Sequence, residues 1–517
     1  MANIVIIHYG GVKVEGKYKT FVFYEGLIES LRKNGNNVME IITNDFLVQP
    51  WGGTNKLKLK INRNKLINDV VVFNPDLVIS FNNSSIDGLE KILKCPIAIW
   101  SADHFYHFND LEKLKTNKDR FIFFCAQSGD VADCQRIVGA SPDKCFRVKP
   151  ATSVQSDFIH EKVNNIIFIG SPFGSHGEKE NLHKHKKEFV ELGKKLIKKD
   201  GNVEDLVRQY EEISDIQQTI LDFGSAANRT SVLSHIASLG LNIHGGDGWL
   251  DIGLDSSLDI FNSYNPKQIY SVSQTQDAYN SSKIGININH SQAKTGFSWR
   301  VMDILASSSV LVSNYSPDLV EELGEELSRE VIYHSPREAY EICLKFLNDE
   351  DLREKIVRQS NEIVEKFHTW DIRIKEIEKI LQLGLVGMDK KKGTYALLEA
   401  KKYTKIFSLR MSSMNTDSLT FRKILFFILP HGIVMNLHIV KGLLMEVFCF
   451  IFPYGIVKNI RNGSVLSDGK MYESSKLNAS NFNDIENLIM RVIRFISPYG
   501  VVKIIRVIKK NKTSLFK

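Results

Sequence analysis

A chain of 517 residues, 43% hydrophobic and 25% charged, is too long for one ordinary domain, and its composition excludes a disordered or low-complexity protein. The formal charge of +7 is unevenly spread: residues 386–517 hold 22 Lys+Arg against 8 Asp+Glu, and the remainder holds 45 against 52. A mildly acidic body thus carries a strongly basic C-terminal stretch, which points to an anionic partner for that stretch alone.

From the N-terminus, "NIVIIHYG" reads as a buried strand, with none of the charged start, long apolar run and small-residue cleavage site of a secretory leader. Six cysteines without a CxxC pair or zinc-like Cys/His spacing fit a reducing compartment, so the expectation is a cytoplasmic protein. "YKTFVFYEGLIESLRKNG" has helical spacing and ends at Gly35; "NNVMEIIT", "PDLVISFN", "CPIAIWSAD" and "RFIFFCAQS" are further apolar strands. Short apolar strands separated by helices predict a parallel sheet covered on both faces, here a Rossmann-like domain over residues 1–150. Gly10 and Gly11, in "HYGG" at the end of the first strand, leave room for a donor phosphate or an acceptor, or simply make a tight strand-to-helix turn. "IWSADHFYHF" places Asp103, His104 and His107 at a strand end. An Asp or His there can take a hydroxyl proton as general base, so Asp103 and His104 are the catalytic candidates, with Glu25 on the first helix a weaker one.

After a linker over residues 151–163, "NNIIFIGSPFG" starts a second αβ series. A charged helical stretch from Lys179 to Leu221 comes next, then "GLNIHGGDGW", "KIGININHS", "VLVSNYS" and "REVIYHSP", each an apolar strand ending in small or polar residues. A second Rossmann-like domain is predicted over residues 164–385, facing the first across a cleft. Within it, "QAKTGFSWRVMDILA" is a turn running into a helix. Ser298 can cap that helix, and unpaired amides of the Thr295–Gly296 turn with the positive helix start suit a phosphate. Arg300 can grip a diphosphate, and Asp303 on the same face can accept two hydroxyls of a ribose. The bland alternative is a surface ion pair between Arg300 and Asp303. Gly170 in "GSPFG" and Gly245 and Gly246 in "HGGDGW" let the backbone approach a base or phosphate, with Gly248 and Trp249 beside them; Trp249 reads as ring-stacking or as core.

Beyond Lys390 the alternation stops. "FFILPHGIVMNL", "CFIFPYGIVKNI" and "RFISPYGVVKII" repeat an apolar lead, a Pro-(His/Tyr)-Gly break and a β-branched, often basic segment. No run reaches the roughly 20 clean apolar residues of a spanning helix, so residues 386–517 read as a mainly helical amphipathic tail lying on an anionic membrane surface, or as a small subdomain packed on the body.

In order, "FIGSPFG", "LNIHGGDGW", "YNSSKIGININH", "TGFSWRVMDILASSSVLVSN", "LVEELGEE", "VIYHSPREAYEICLKFLNDEDLREKI" and "FHTWDIRIKEI", over roughly residues 164–385, resemble the donor domain of GT-B glycosyltransferases, especially the CgeB-like, spore-maturation-protein type. The resemblance implies transfer of a sugar from a nucleotide-diphosphate sugar to a hydroxyl of a glycan or lipid-linked acceptor in bacterial surface polysaccharide or glycoconjugate synthesis; the basic tail would place it peripherally at the inner membrane face. No metal or other cofactor is demanded, since positive groups can take a metal's place on the leaving diphosphate, and the apolar content of the tail is too high for a nucleic-acid arm. Asp303 falls where the family has a ribose-binding glutamate, Thr295 where related retaining enzymes have the first glutamate of an E-x7-E pair, and Arg300 where it has the pyrophosphate arginine. Thr295 departs from the pair, and "ASSSV" lacks the family's turn glycine. The alternatives are a non-catalytic sugar-nucleotide-binding or coat-assembly protein, and a nucleotide-sugar epimerase of the same fold.

Overall fold

The computed structural model describes residues 1–10, 12–14, 17–46, 62–105, 108, 111–173, 187, 215–387 and 391–403. The three Pro-(His/Tyr)-Gly repeats, Gly11, His107 and Lys179 lie outside the described residues. The chain divides into two units, Met1–Phe407 and Ser408–Lys517.

The strands of the first unit are β1 (Asn3–His8), β2 (Val12–Val14), β3 (Lys17–Lys19), β4 (Asn37–Ile42), β5 (Leu77–Phe81), β6 (Ile97–Ser101), β7 (Phe121–Cys125), β8 (Cys145–Arg147), β9 (Asn164–Ile169), β10 (Leu241–His244), β11 (Tyr264–Asn265), β12 (Ser282–Asn287), β13 (Val310–Asn314), β14 (Ile332–Tyr333) and β15 (Tyr395–Leu397). Seven form a parallel sheet ordered β15-β4-β1-β5-β6-β7-β8, and six form a second ordered β11-β10-β9-β12-β13-β14. β2 and β3 make a separate antiparallel hairpin.

The apolar runs explain the sheets. β5, β6 and β13 are buried at every position, as strands covered on both faces must be. Separate cores gather on the two sheets: Val5, Ile41, Ile99 and Phe123 on the first, Ile166, Phe168, Ile286 and Val312 on the second. Strand order reverses beside β1 in the first sheet and beside β9 in the second, and crevices at such reversals, beyond the strand C-termini, are where ligands bind in open αβ sheets. The fold class expected from the sequence, two Rossmann-like domains, is the one observed.

The boundaries need correction. The helix Trp370–Leu381, assigned by sequence to the second domain, packs in the first: Trp370, Ile374 and Ile377 share a core with Tyr24, Leu27 and Leu31 of the helix Val22–Lys33. β15, expected within the tail, pairs in parallel with β4, Tyr395 opposite Val38. Pairing is reinforced where the Tyr395 hydroxyl donates to the buried Glu40, which also accepts from Thr20 and from His8 Nε2 at 2.7 Å.

Between the sheets, Trp299 packs edge-on against Phe23, with ring centroids 4.9 Å apart, and lies 5.7 Å from Trp100 and 6.4 Å from Trp370. At the crossover between domains, Arg147 and Lys149 face Asp318, Glu321 and Glu322 of the helix Pro317–Val331; Lys149 Nζ lies 2.5 Å and His368 Nε2 2.9 Å from the Glu322 carboxylate.

Candidate active site

β9 ends in the turn Gly170–Phe173, at the reversal point of the second sheet. Two guanidiniums converge there. Arg300, first residue of the helix Arg300–Ala306, lies 5.3 Å from the Phe168 ring centroid, and Arg229, on the helix Asp215–Ile236, lies 5.5 Å from the same centroid. Gly170 makes the approach possible: a β-carbon there would meet Arg300 Nη2 at 3.0 Å. Among the described residues neither arginine has a carboxylate within salt-bridge distance. Arg229 donates to the backbone carbonyls of Ser171 and Ile288, and among the described residues Arg300 hydrogen-bonds only to Asn287 Oδ1, at 3.5 Å. Burial first, and then the neighbouring Arg300, hold the Arg229 pKa well below the usual guanidinium value; burial also lowers that of Arg300. Two like charges withdrawn from water at a strand-end turn favour an anion beside them; Arg229 is enclosed and committed to carbonyls, so Arg300 is the guanidinium that suits a diphosphate.

Arg229 is the residue that sequence reasoning missed. It sits mid-helix with no motif around it, and only the fold brings it to Phe168. Phe173, held at φ 58°, where a bulky residue is strained, lies 4.3 Å from the Arg229 guanidinium and 4.4 Å from the His290 ring. His290 Nε2 donates to Asp222 Oδ1 at 3.0 Å, and its Nδ1 accepts from the Gln292 amide at 3.2 Å, which fixes the tautomer.

The glycines divide. Gly245 serves packing, since a β-carbon there would stand 2.2 Å from the Gly170 carbonyl oxygen; Gly246 has nothing within 4 Å. Gly248 packs on Pro172, and Trp249 is core, fully buried, its indole N–H donating to Gly170 O at 2.8 Å. Gly10 is no phosphate cradle: its N–H donates to Asn44 Oδ1 at 2.6 Å, and Tyr18 and Ile42 crowd the space a side chain would need.

The Thr-Gly turn is also occupied. Gly296 N donates to Gln127 Oε1 at 3.0 Å and Thr295 N to the same oxygen at 3.3 Å, while the Thr295 hydroxyl accepts from Gly129 N at 2.9 Å. Ser298 does not cap the helix with its hydroxyl; its N–H donates to Asn289 Oδ1, and Trp299 stands at the N-cap without a side-chain bond. The amides expected to hold phosphate therefore bind the first domain instead. Asp303 is likewise partly committed to a neighbouring segment. It is buried, its Oδ1 accepts from Thr152 Oγ1 at 2.6 Å, and only Oδ2 lacks a hydrogen-bond donor among the described residues. Burial pushes its carboxyl up to about 7, against the Thr152 bond and the Arg300 charge.

Across the gap, Asp103 is half-buried. Its Oδ2 accepts from Asn82 Nδ2 at 2.6 Å and its Oδ1 from Gln292 Nε2 at 2.7 Å. Burial raises its pKa, partly opposed by Gln292, His290 and Asn82. His104 does not face the cleft as a base: it is buried and donates from Nε2 to Asp133 Oδ2 at 2.6 Å. Glu25 caps the helix Val272–Asn280, accepting from Val272 N at 2.6 Å. His104, Asp130 and Asp133 could each bring one ligand atom within 4.8 Å of the others, but Asp133 already accepts from Arg136 and Lys294 as well as His104, so two cations stand where an ion would enter. These residues suit an ion-pair cluster better than a metal centre.

Two Rossmann-like domains, with the arginine pair at the β9 turn of the second, define the class of fold. Residues 229–379 match the family model described as glycosyl transferase-like, roughly three-tenths of the chain, beginning at Arg229 and including Arg300. Nothing matches the chain among curated proteins. Among solved structures it is similar to sucrose-phosphate synthase from Thermosynechococcus elongatus, at 10% identity over 74% of this chain and 99% of that one, TM-score 0.46. It is also similar to α,α-trehalose 6-phosphate synthase from Burkholderia multivorans (8%, 74% and 97%, 0.43) and to the T4 phage BGT in complex with UDP-glucose (12%, 73% and 99%, 0.38). None of the three reaches a TM-score of 0.5.

Proposed function

We propose that this protein is a CgeB-like glycosyltransferase that moves a sugar from a nucleotide-diphosphate sugar to a hydroxyl of a glycan or lipid-linked acceptor, in bacterial surface polysaccharide or glycoconjugate synthesis. The observation that carries the reading is the pair Arg229 and Arg300 sharing Phe168 at the second sheet's reversal point, with no carboxylate paired to either among the described residues. The family match over the same segment supports it.

In this reading the donor diphosphate lies against Arg300, with Arg229 supplying the field behind it. Asp303 meets the ribose through Oδ2, the oxygen that Thr152 does not use. Asp103, from the first domain, is the base. The acceptor O–H bond breaks with its proton passing to the carboxylate, the acceptor oxygen bonds to the anomeric carbon, and the carbon–oxygen bond to the diphosphate breaks with its electron pair leaving on the nucleotide diphosphate. Charge on the leaving group is met by guanidinium, the role a metal would otherwise fill. The basic repeats of the C-terminal stretch would hold the enzyme at an anionic inner membrane face, where a lipid-linked acceptor is presented. No helix among the described residues is long and apolar enough to cross a membrane.

The test is incubation of the full chain with a panel of labelled nucleotide sugars, with and without lipid-linked acceptors, following nucleotide diphosphate release. Turnover of one donor that is lost in Arg300→Ala is the expected result. Tight binding without turnover on any acceptor would favour the sugar-nucleotide-binding alternative, which Thr295 in place of a carboxylate also fits.

A further inference from the structure

The two oxygens of Asp103 are held from different domains. Its own domain fixes the backbone and Oδ2: Asn82 Oδ1 accepts from Ala102 N at 2.8 Å and Asp103 N at 3.0 Å, while Asn82 Nδ2 donates to Oδ2. Oδ1 is held by Gln292 of the second domain. Gln292 is itself tied at both sides. Its backbone amide donates to His290, and the residues after it are anchored on the first domain by Lys294 to Asp133, Thr295 to Gly129 and Gly296 to Gln127. The donor is a neutral amide. An amide orients a carboxylate while leaving its charge, and a second lone pair on the same oxygen, for an incoming proton; an ammonium would neutralise it as an ion pair.

We infer that Gln292 is a positioning residue that sets the Asp103 carboxylate for proton removal when the two domains are closed on each other. This rests on the reading of Asp103 as the base. It links closure to reactivity: with the domains apart, Oδ1 loses its partner, and the carboxylate is left with Asn82 alone. Tyr24 on the helix Val22–Lys33, His290, Asp222 on the helix Asp215–Ile236 and Asp130 also face Asp103 electrostatically, and removal of Gln292 leaves all four in place. Loss of the amide bond therefore favours the protonated form.

The experiment is the pH profile of nucleotide diphosphate release, with the donor found in the panel, for the wild-type chain and for Gln292→Ala, Gln292→Asn and Gln292→Glu, beside Asp103→Ala. For Gln292→Ala the acid limb should move to higher pH, kcat on that limb should fall about tenfold, and affinity for the nucleotide diphosphate should stay within about twofold. Gln292→Asn should recover part of the loss. Gln292→Glu should move the limb further, because two neighbouring carboxyls share a proton. An unmoved limb in Gln292→Ala, or a fall in kcat matched only by a fall in melting temperature, overturns the inference. If Asp103→Ala is inactive while Gln292→Ala behaves as wild type, only the inference falls. Full turnover in Asp103→Ala removes the base assignment and the inference together, and no turnover of any donor counts against the proposed function itself.

Discussion

Gly245 has no side chain because the carbonyl oxygen of Gly170 lies 2.2 Å from where its β-carbon would stand. The two strand ends β9 and β10 therefore close on each other directly, and the Trp249 indole N–H seals the same oxygen. Gly245→Ala should force this turn open and cost several kcal/mol, while Gly246→Ala, with nothing within 4 Å, should be close to neutral. Thermal unfolding of the two variants side by side checks this; equal melting temperatures would refute the packing account.

Asp303 makes stability depend on pH. Its folded carboxyl is raised to about 7, above its unfolded value. The stabilisation of its protonated form is fully present below about pH 4 and is lost as pH rises through 7. Asp303→Asn, which keeps an acceptor for Thr152, should flatten that dependence and gain on the order of a few kcal/mol relative to wild type at pH 8. The same variant should weaken nucleoside diphosphate binding without altering that of inorganic pyrophosphate, as measured by calorimetry.

Glu322 acts with the opposite sign. Burial would raise its carboxyl, but the close contacts with His368 and Lys149 outweigh this and lower it to about 2. Its contribution, about 3 kcal/mol, is present above the unfolded value near 4.5 and disappears as pH falls toward 2. Glu322→Gln should unfold at lower denaturant concentration at pH 7, with the gap to wild type closing in acid.

Trp299→Ala removes the ring that fills the space between Phe23, Trp100 and Trp370. A loss of about 3 kcal/mol is expected. Denaturation followed by intrinsic fluorescence should show the two domains separating before either unfolds; a single unchanged transition would contradict the role given to this ring.

The strands were readable because each carries its own evidence: β1, β5, β9 and β13 each hold three or four consecutive apolar residues, and their burial inside a covered sheet leaves no other place for them. The glycine turns and Arg300 were readable for the same local reason. What escaped depended on partners far along the chain. Arg229 looks like any helical arginine until Phe168 and Arg300 fold beside it. The Thr295–Gly296 amides look vacant in sequence and are taken by Gln127 of the other domain. His104 and Asp103 are adjacent, yet one is turned inward to Asp133 and the other outward to Gln292, a choice no spacing encodes. β15, three residues long, is recognisable as a strand only through β4.

The first sheet is completed by β15, some three hundred and fifty residues after β4, and the helix Trp370–Leu381 is part of its core. On a ribosome, then, the second domain emerges whole as an uninterrupted stretch, whereas the first waits unfinished, its β4 edge uncovered, until the chain has come back to it. Maturation from the middle outward is built into this topology.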